Sequence, residues 1–104
     1  MRLARGAELT ACWEQGRRLR APHLDVAWRP NPAGHPRVGI VVPRFHHTAV
    51  GRNRLRRRLR EILRRDALAA LPSVDLVVRA TRAAYAAPFP LLRAELTELV
   101  RRIP

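Results

Sequence analysis

Arg52-Asn53-Arg54-Leu55-Arg56-Arg57-Arg58-Leu59-Arg60-Glu61-Ile62-Leu63-Arg64-Arg65 packs eight arginines into fourteen residues. Glu61 alone opposes them, so the segment carries a net charge of +7. Self-repulsion at that density works against a helix. Yet Leu55, Leu59, Ile62 and Leu63 recur at helical spacing, and at about 100° per residue they share one narrow arc. Arg56, Arg57, Arg60 and Arg64 fill one flank and the back, and Arg54, Arg58 and Arg65 the other flank. The spacing predicts a helix that buries a thin apolar stripe and presents arginine everywhere else. Thr48 is its expected N-cap. The helix is expected to run to about Leu71, where Pro72 stops it.

The flanks of this helix set the fold. Val38-Gly39-Ile40-Val41-Val42 is a nearly continuous apolar run, as for a central strand covered on both faces. Val74 to Arg79 is a second short β-branched strand. Strand, helix and strand at this separation make a βαβ unit with parallel strands. Farther out, His23 to Arg29 alternates, with Leu24, Val26 and Trp28 set against Asp25 and Ala27, which predicts a half-buried strand. Residues 30–36 form a loop rich in proline and glycine. Residues 7–18 read as an amphipathic helix with Leu9, Cys12, Trp13 and Gly16 on one stripe. Gly16 is placed to end it, and Pro22 bars its continuation. Residues 89–103 form the last helix, with Leu92, Leu96, Leu99 and Ile103 at spacings of four, three and four. The order is α, two or three strands, α, β, α.

The whole chain has 104 residues, 47% hydrophobic, with a formal net charge of +13. That predicts one domain over 1–104 with an ordinary core. All basic residues are arginine, whose planar fork suits phosphate. An excess this large and this clustered points to a polyphosphate partner, hence nucleic acid. A solvated helix face would mix signs; packing does not require +7. A lone basic helix with no helix-turn-helix or dimer signal fits structured RNA better than a DNA groove. Cys12 is the only cysteine, which excludes an intrachain disulfide and suits a reducing compartment. No apolar run approaches membrane length. A cytoplasmic protein with no membrane role is the expectation.

Catalytic chemistry is hard to find. Ser73, the sole serine, stands beside Pro72 with no nucleophile elbow. Cys12 lies on an apolar stripe, as a structural thiol would. His46 and His47 are adjacent, a spacing unsuited to joint chelation, and no carboxylate cluster forms a two-metal centre. The chain is expected to hold no catalytic residue and no metal. Any hydrolysis would belong to a partner.

Arg37-Val38-Gly39-Ile40-Val41-Val42, nine residues, then Arg52-Asn53-Arg54 and its continuation resembles the protein subunit of bacterial ribonuclease P. The register extends outward: Leu3 to Gly16 is similar to the family's first helix, Asp75 to Arg79 to its last strand, and residues 89–102 to its final helix. The resemblance implies an α+β fold, a two-layer α–β sandwich of αβββαβα order, with a left-handed βαβ crossover through the arginine-rich helix. It implies a partner catalytic RNA, precursor tRNA as substrate and removal of the 5′ leader. Magnesium-dependent chemistry would sit in the RNA, with no obligate protein partner. Carried over by position, Arg52, Asn53, Arg54, Arg56, Arg57 and Arg60 would bind the catalytic RNA. Leu9, Trp13 and Ala27 would belong to a cleft for the single-stranded leader, with Trp13 stacking on a base.

The sequence departs from the family pattern in places. Phe45 stands where a basic residue is common. His47 stands where glycine, which permits positive φ, is common. Arg58 takes a usually apolar position, Leu9 a frequent aromatic one, and the basic tail is reduced to Arg2 and Arg5. Two other classes compete: a ribosomal or RNA-chaperone protein that binds structured RNA without an enzymatic assembly, and a protein nuclease active without RNA.

Overall fold

The arginine helix forms where its spacing puts it. In the computed structural model, which describes residues 6–45 and 47–104, α2 spans Ala49–Ile62. The expectations resting on Arg2, Leu3, Arg5 and His46 lie outside those residues. Thr48 is extended at φ −70° and its hydroxyl accepts from the Gly51 amide at 3.1 Å, as an N-cap does. The apolar stripe is buried as the wheel requires, with Leu55, Leu59, Ile62 and Leu63 at 4% exposure or less. Beyond Ile62 the helix widens for one turn over Leu63–Ala67, where the Leu68 amide reaches Leu63 O. It then tightens into a 3-10 turn at Leu68–Ala70, and Leu71 is extended at ψ 136° ahead of Pro72.

Seven main elements follow one another: α1 (Gly6–Gln15), β1 (Arg17–Arg20), β2 (Leu24–Pro30), β3 (Arg37–Val41), α2, β4 (Val74–Ala80) and α3 (Phe89–Arg101). A 3-10 turn at Arg82–Ala86 joins β4 to α3. The strands form one sheet in the order β1-β2-β4-β3. β3 and β4 are parallel across α2, and the other pairs are antiparallel. Strand parity sorts the sheet into two faces. Leu24, Val26, Trp28, Leu76 and Val78 turn to one side, where they meet the stripe of α2 and Leu92, Leu96, Leu99 and Val100 of α3. Each such fully buried side chain contributes roughly 1.5–3 kcal/mol. His23 fastens the start of β2 to α3, its backbone amide and ring both contacting the Glu95 carboxylate at 3.0 and 2.9 Å.

The opposite face carries α1, whose Cys12 packs on Val77 with Leu9, Trp13 and Val41 around it. The two-layer expectation thus describes the sheet with α2 and α3, and α1 adds a partial cover on the far side.

The first helix stops at Gly16, as expected, so the reading of residues 7–18 is corrected at its far end, where residues 17 and 18 leave the helix. Its last residue is Gln15, and Arg17–Arg20 is a strand the apolar pattern did not reveal. The reason lies at Gly16, whose amide donates to Cys12 O at 2.9 Å. A Cβ there would stand 2.5 Å from Cys12 O and 2.6 Å from Trp28 O, both backbone atoms. Only glycine lets the chain leave α1 this close to β2. Gly16→Ala is expected to destabilise the fold by about 1–3 kcal/mol through forced backbone shifts, read as a lowered midpoint in chemical denaturation.

Candidate nucleic-acid interface

The outward surface of α2 is the most strongly charged feature of the molecule. Asn53, Arg54, Arg57, Arg60, Arg64 and Arg65 are exposed, while Arg52, Arg56 and Arg58 are half-buried. Glu61 is spent locally: it accepts from Arg64 at 2.8 Å and pairs with Arg65 one turn on. Arg54, Arg56, Arg57, Arg58 and Arg60 make no ion pair among the described residues. Arg52 likewise makes no ion pair among the described residues, but one edge of its guanidinium is used within the fold. Its Nε donates to Val42 O at 2.8 Å and ties the start of α2 to the end of β3. Arg52 thus also braces the start of α2, while Arg54, Arg56, Arg57, Arg58 and Arg60 carry their charge on the helix without an ion-pair partner among the described residues.

On the other face of the sheet, the residues expected in a cleft come together only in part. Leu9 and Trp13 flank Cys12 on α1 and remain partly open. Ala27 is at 0% exposure, with its carbonyl 3.6 Å from Cys12 Sγ. Its small side chain lets α1 sit close to the sheet, but no surface of it is open to a ligand. Two residues absent from the sequence expectation join Trp13 instead. The guanidinium of Arg18 lies 4.9 Å from the indole centroid and that of Arg79 5.5 Å, both within cation–π range. Arg18 also donates to Trp13 O at 2.8 Å. The signal for Arg79 was a charged residue interrupting the apolar run Leu76-Val77-Val78. The signal for Arg18 needed β1, which the pattern hid.

Beneath α1 an ionic knot holds the strands in place. Asp75, at 1% exposure, receives Arg37 in a two-pronged contact: Nε to Oδ1 at 2.8 Å and Nη2 to Oδ2 at 2.9 Å. Asn31 donates to the same carboxylate at 2.9 Å, and Arg29 approaches at 3.8 Å. Arg37 reaches on to Glu8 of α1 at 3.4 Å. The carboxylate hydrogen bonds raise the Arg37 guanidinium pKa further, so it stays charged. Burial, then the nearby Asp75 charge, pushes the Cys12 thiol above its ordinary value, as for a protonated structural thiol. No three His, Cys, Asp or Glu side chains converge to hold a metal among the described residues.

The loop entering α2 is held by Phe45 and His47. The positive φ falls at Phe45, at 45°, and not at His47. For a bulky residue that backbone is strained by roughly 1–3 kcal/mol. Phe45 lies under the Arg82 guanidinium at 5.1 Å. His47 stacks on Tyr85, with ring centroids 3.8 Å apart and planes within 3°. The Tyr85 hydroxyl donates to Pro43 O at 2.6 Å, closing the loop onto the 82–86 turn.

Fold and surface together define a small, arginine-rich α+β protein whose charge is carried outward on one rigid helix. The family model for ribonuclease P matches residues 1–104. The ribonuclease P protein component of Aliivibrio salmonicida is 36% identical over 81% of this chain and 72% of its own length. That of Desulfovibrio desulfuricans is 36% identical over 99% of this chain and 82% of its own. The solved ribonuclease P protein of Thermotoga maritima superposes with a TM-score of 0.85 at 32% identity, covering 100% of this chain and 96% of that one. The chain belongs to the ribonuclease P protein family. No helix among the described residues is long and apolar enough to cross a membrane.

Proposed function

We propose that this protein is the RNA-binding subunit of a ribonuclease P ribonucleoprotein, gripping the catalytic RNA with α2 and the 5′ leader of precursor tRNA beside α1. The observation that carries the reading is the outward surface of α2, where arginines without ion-pair partners among the described residues stand on a helix anchored by a buried stripe. Phosphates would neutralise Arg54, Arg56, Arg57 and Arg60, with Asn53 hydrogen-bonding beside them and counterion release supplying the affinity. Arg52 would act by holding the start of α2 in position. Magnesium and the bond-breaking chemistry would belong to the RNA.

The leader would lie along the α1 face, a base against Trp13 and the adjoining phosphates against Arg18 and Arg79. Leu9 would extend the apolar wall, and Ala27 would serve by letting α1 approach the sheet. This part rests on the two guanidiniums poised at the Trp13 ring. Stacking on an aromatic side chain contributes about 1–3 kcal/mol per base with little sequence preference. Trp13→Ala is expected to weaken holoenzyme binding of precursor tRNA by roughly five- to a hundredfold, and of mature tRNA by little. Parallel titrations of the two tRNAs check this; equal weakening for both would contradict a leader site at Trp13.

A further inference from the structure

We infer that His47, stacked on Tyr85 in the loop that also holds Phe45, forms a second stacking platform that takes one unpaired RNA nucleotide at the entrance to α2. The inference rests on the RNA-binding reading above and goes beyond the arginine surface and the Trp13 cleft. Three observations carry it. First, the His47 ring is held flat against Tyr85 at 3.8 Å, yet the residue is exposed, so its outer face is a ready-oriented π surface. Second, the platform is braced from below. Tyr85 is anchored through its hydroxyl to Pro43 O, and Thr48, immediately after His47, caps α2. Third, Phe45 is kept in the left-handed region with its ring under the Arg82 guanidinium. A strained backbone that displays an aromatic ring beside a cation is where a binding role is expected.

Stacked aromatics with adjacent guanidiniums recognise single-stranded nucleotides: the base lies on the ring and the phosphate meets the cation. A base laid on His47 would extend the stack to three layers, Tyr85, His47 and base. Arg44, in the same loop, and Arg82, three residues before Tyr85, are both exposed and are the candidates for its phosphate. The nucleotide could come from the catalytic RNA or from the leader, and the two sources separate in the test.

The probes are a transcript of the organism's ribonuclease P RNA, and precursor tRNA added to the assembled holoenzyme. Each is titrated over a salt series with wild type, His47→Ala, His47→Phe and Arg82→Ala. Removing the platform is expected to weaken one of the two titrations about five- to a hundredfold for His47→Ala. The slope of log affinity against log salt should stay unchanged, since every arginine–phosphate pair remains. His47→Phe keeps the π face and should bind within about threefold of wild type. Arg82→Ala should lower the slope by about one. Weaker binding of the RNA alone assigns the nucleotide to the catalytic RNA; weaker binding only of precursor tRNA assigns it to the leader. Unchanged binding of His47→Ala in both titrations overturns the platform. So does weakening accompanied by a lower salt slope, which would mean that α2 had shifted and carried its arginines away from the phosphates. If wild type itself fails to bind the RNA, the proposed function fails first.

Discussion

Alanine at Arg54, Arg57 and Arg60 together is expected to weaken binding of ribonuclease P RNA roughly a hundredfold near physiological salt. The slope of log affinity against log salt should flatten by about three, one for each phosphate no longer neutralised. All three side chains are exposed and make no ion pair among the described residues, so the fold does not depend on them. The melting temperature is expected to hold or rise, because three mutually repelling charges leave and alanine is the best helix former. A salt series of binding titrations and one thermal scan check both halves. Undiminished affinity in the triple variant would remove α2 from the RNA interface. The same substitution at Arg52 is expected to behave differently. Its guanidinium holds Val42 O, so Arg52→Ala should lower stability as well as affinity.

Asp75→Ala should have the largest effect on stability, about 3 kcal/mol by chemical denaturation. The carboxylate is fully buried and is shared by Arg37, Asn31 and Arg29. Removing it strands the cations and an amide donor at the junction of β2, β3 and β4. Arg37 keeps 31% side-chain exposure, so water relieves part of that penalty and the value falls toward the low end for a broken buried pair. The same knot reaches α1 through Glu8, so the variant is also expected to loosen the seat of Trp13 and lose discrimination for the leader. Asp75→Asn, which keeps the shape and loses the charge, should destabilise less.

Much of this was legible along the chain wherever one element carried its own signal. The stripe from Leu55 to Leu63, the Thr48 cap, the parallel strands on either side of α2 and the α3 periodicity all rest on local spacing. Gly16 as the end of α1 was legible too, but not why it must be glycine, which depends on its closeness to Trp28 O, an atom from a strand twelve residues later. β1 itself, Arg17-Arg18-Leu19-Arg20, has a single apolar residue and leaves no alternation to detect. The Asp75 knot depends on the β2–β4–β3 register, which only the folded sheet supplies. The bond from Arg52 Nε to the Val42 carbonyl joins α2 to the end of β3, a contact that spacing along the helix does not announce. Of the residues expected in the cleft, Ala27 lies under α1, while Arg18 and Arg79 arrive from two strands that are not sequence neighbours. The geometry of the loop before α2 was not legible either: the positive φ falls at Phe45, and His47 stacks on Tyr85.

This chain is expected to complete an RNA enzyme without supplying its chemistry, and reconstitution at low magnesium decides the matter. The organism's ribonuclease P RNA and precursor tRNA are mixed with and without the protein, and the protein is also incubated with precursor alone. Leader removal should be restored only when RNA and protein are both present. An unchanged cleavage rate on adding the protein would contradict this role and favour a general RNA-binding one; cleavage by the protein alone would place the chemistry in the chain.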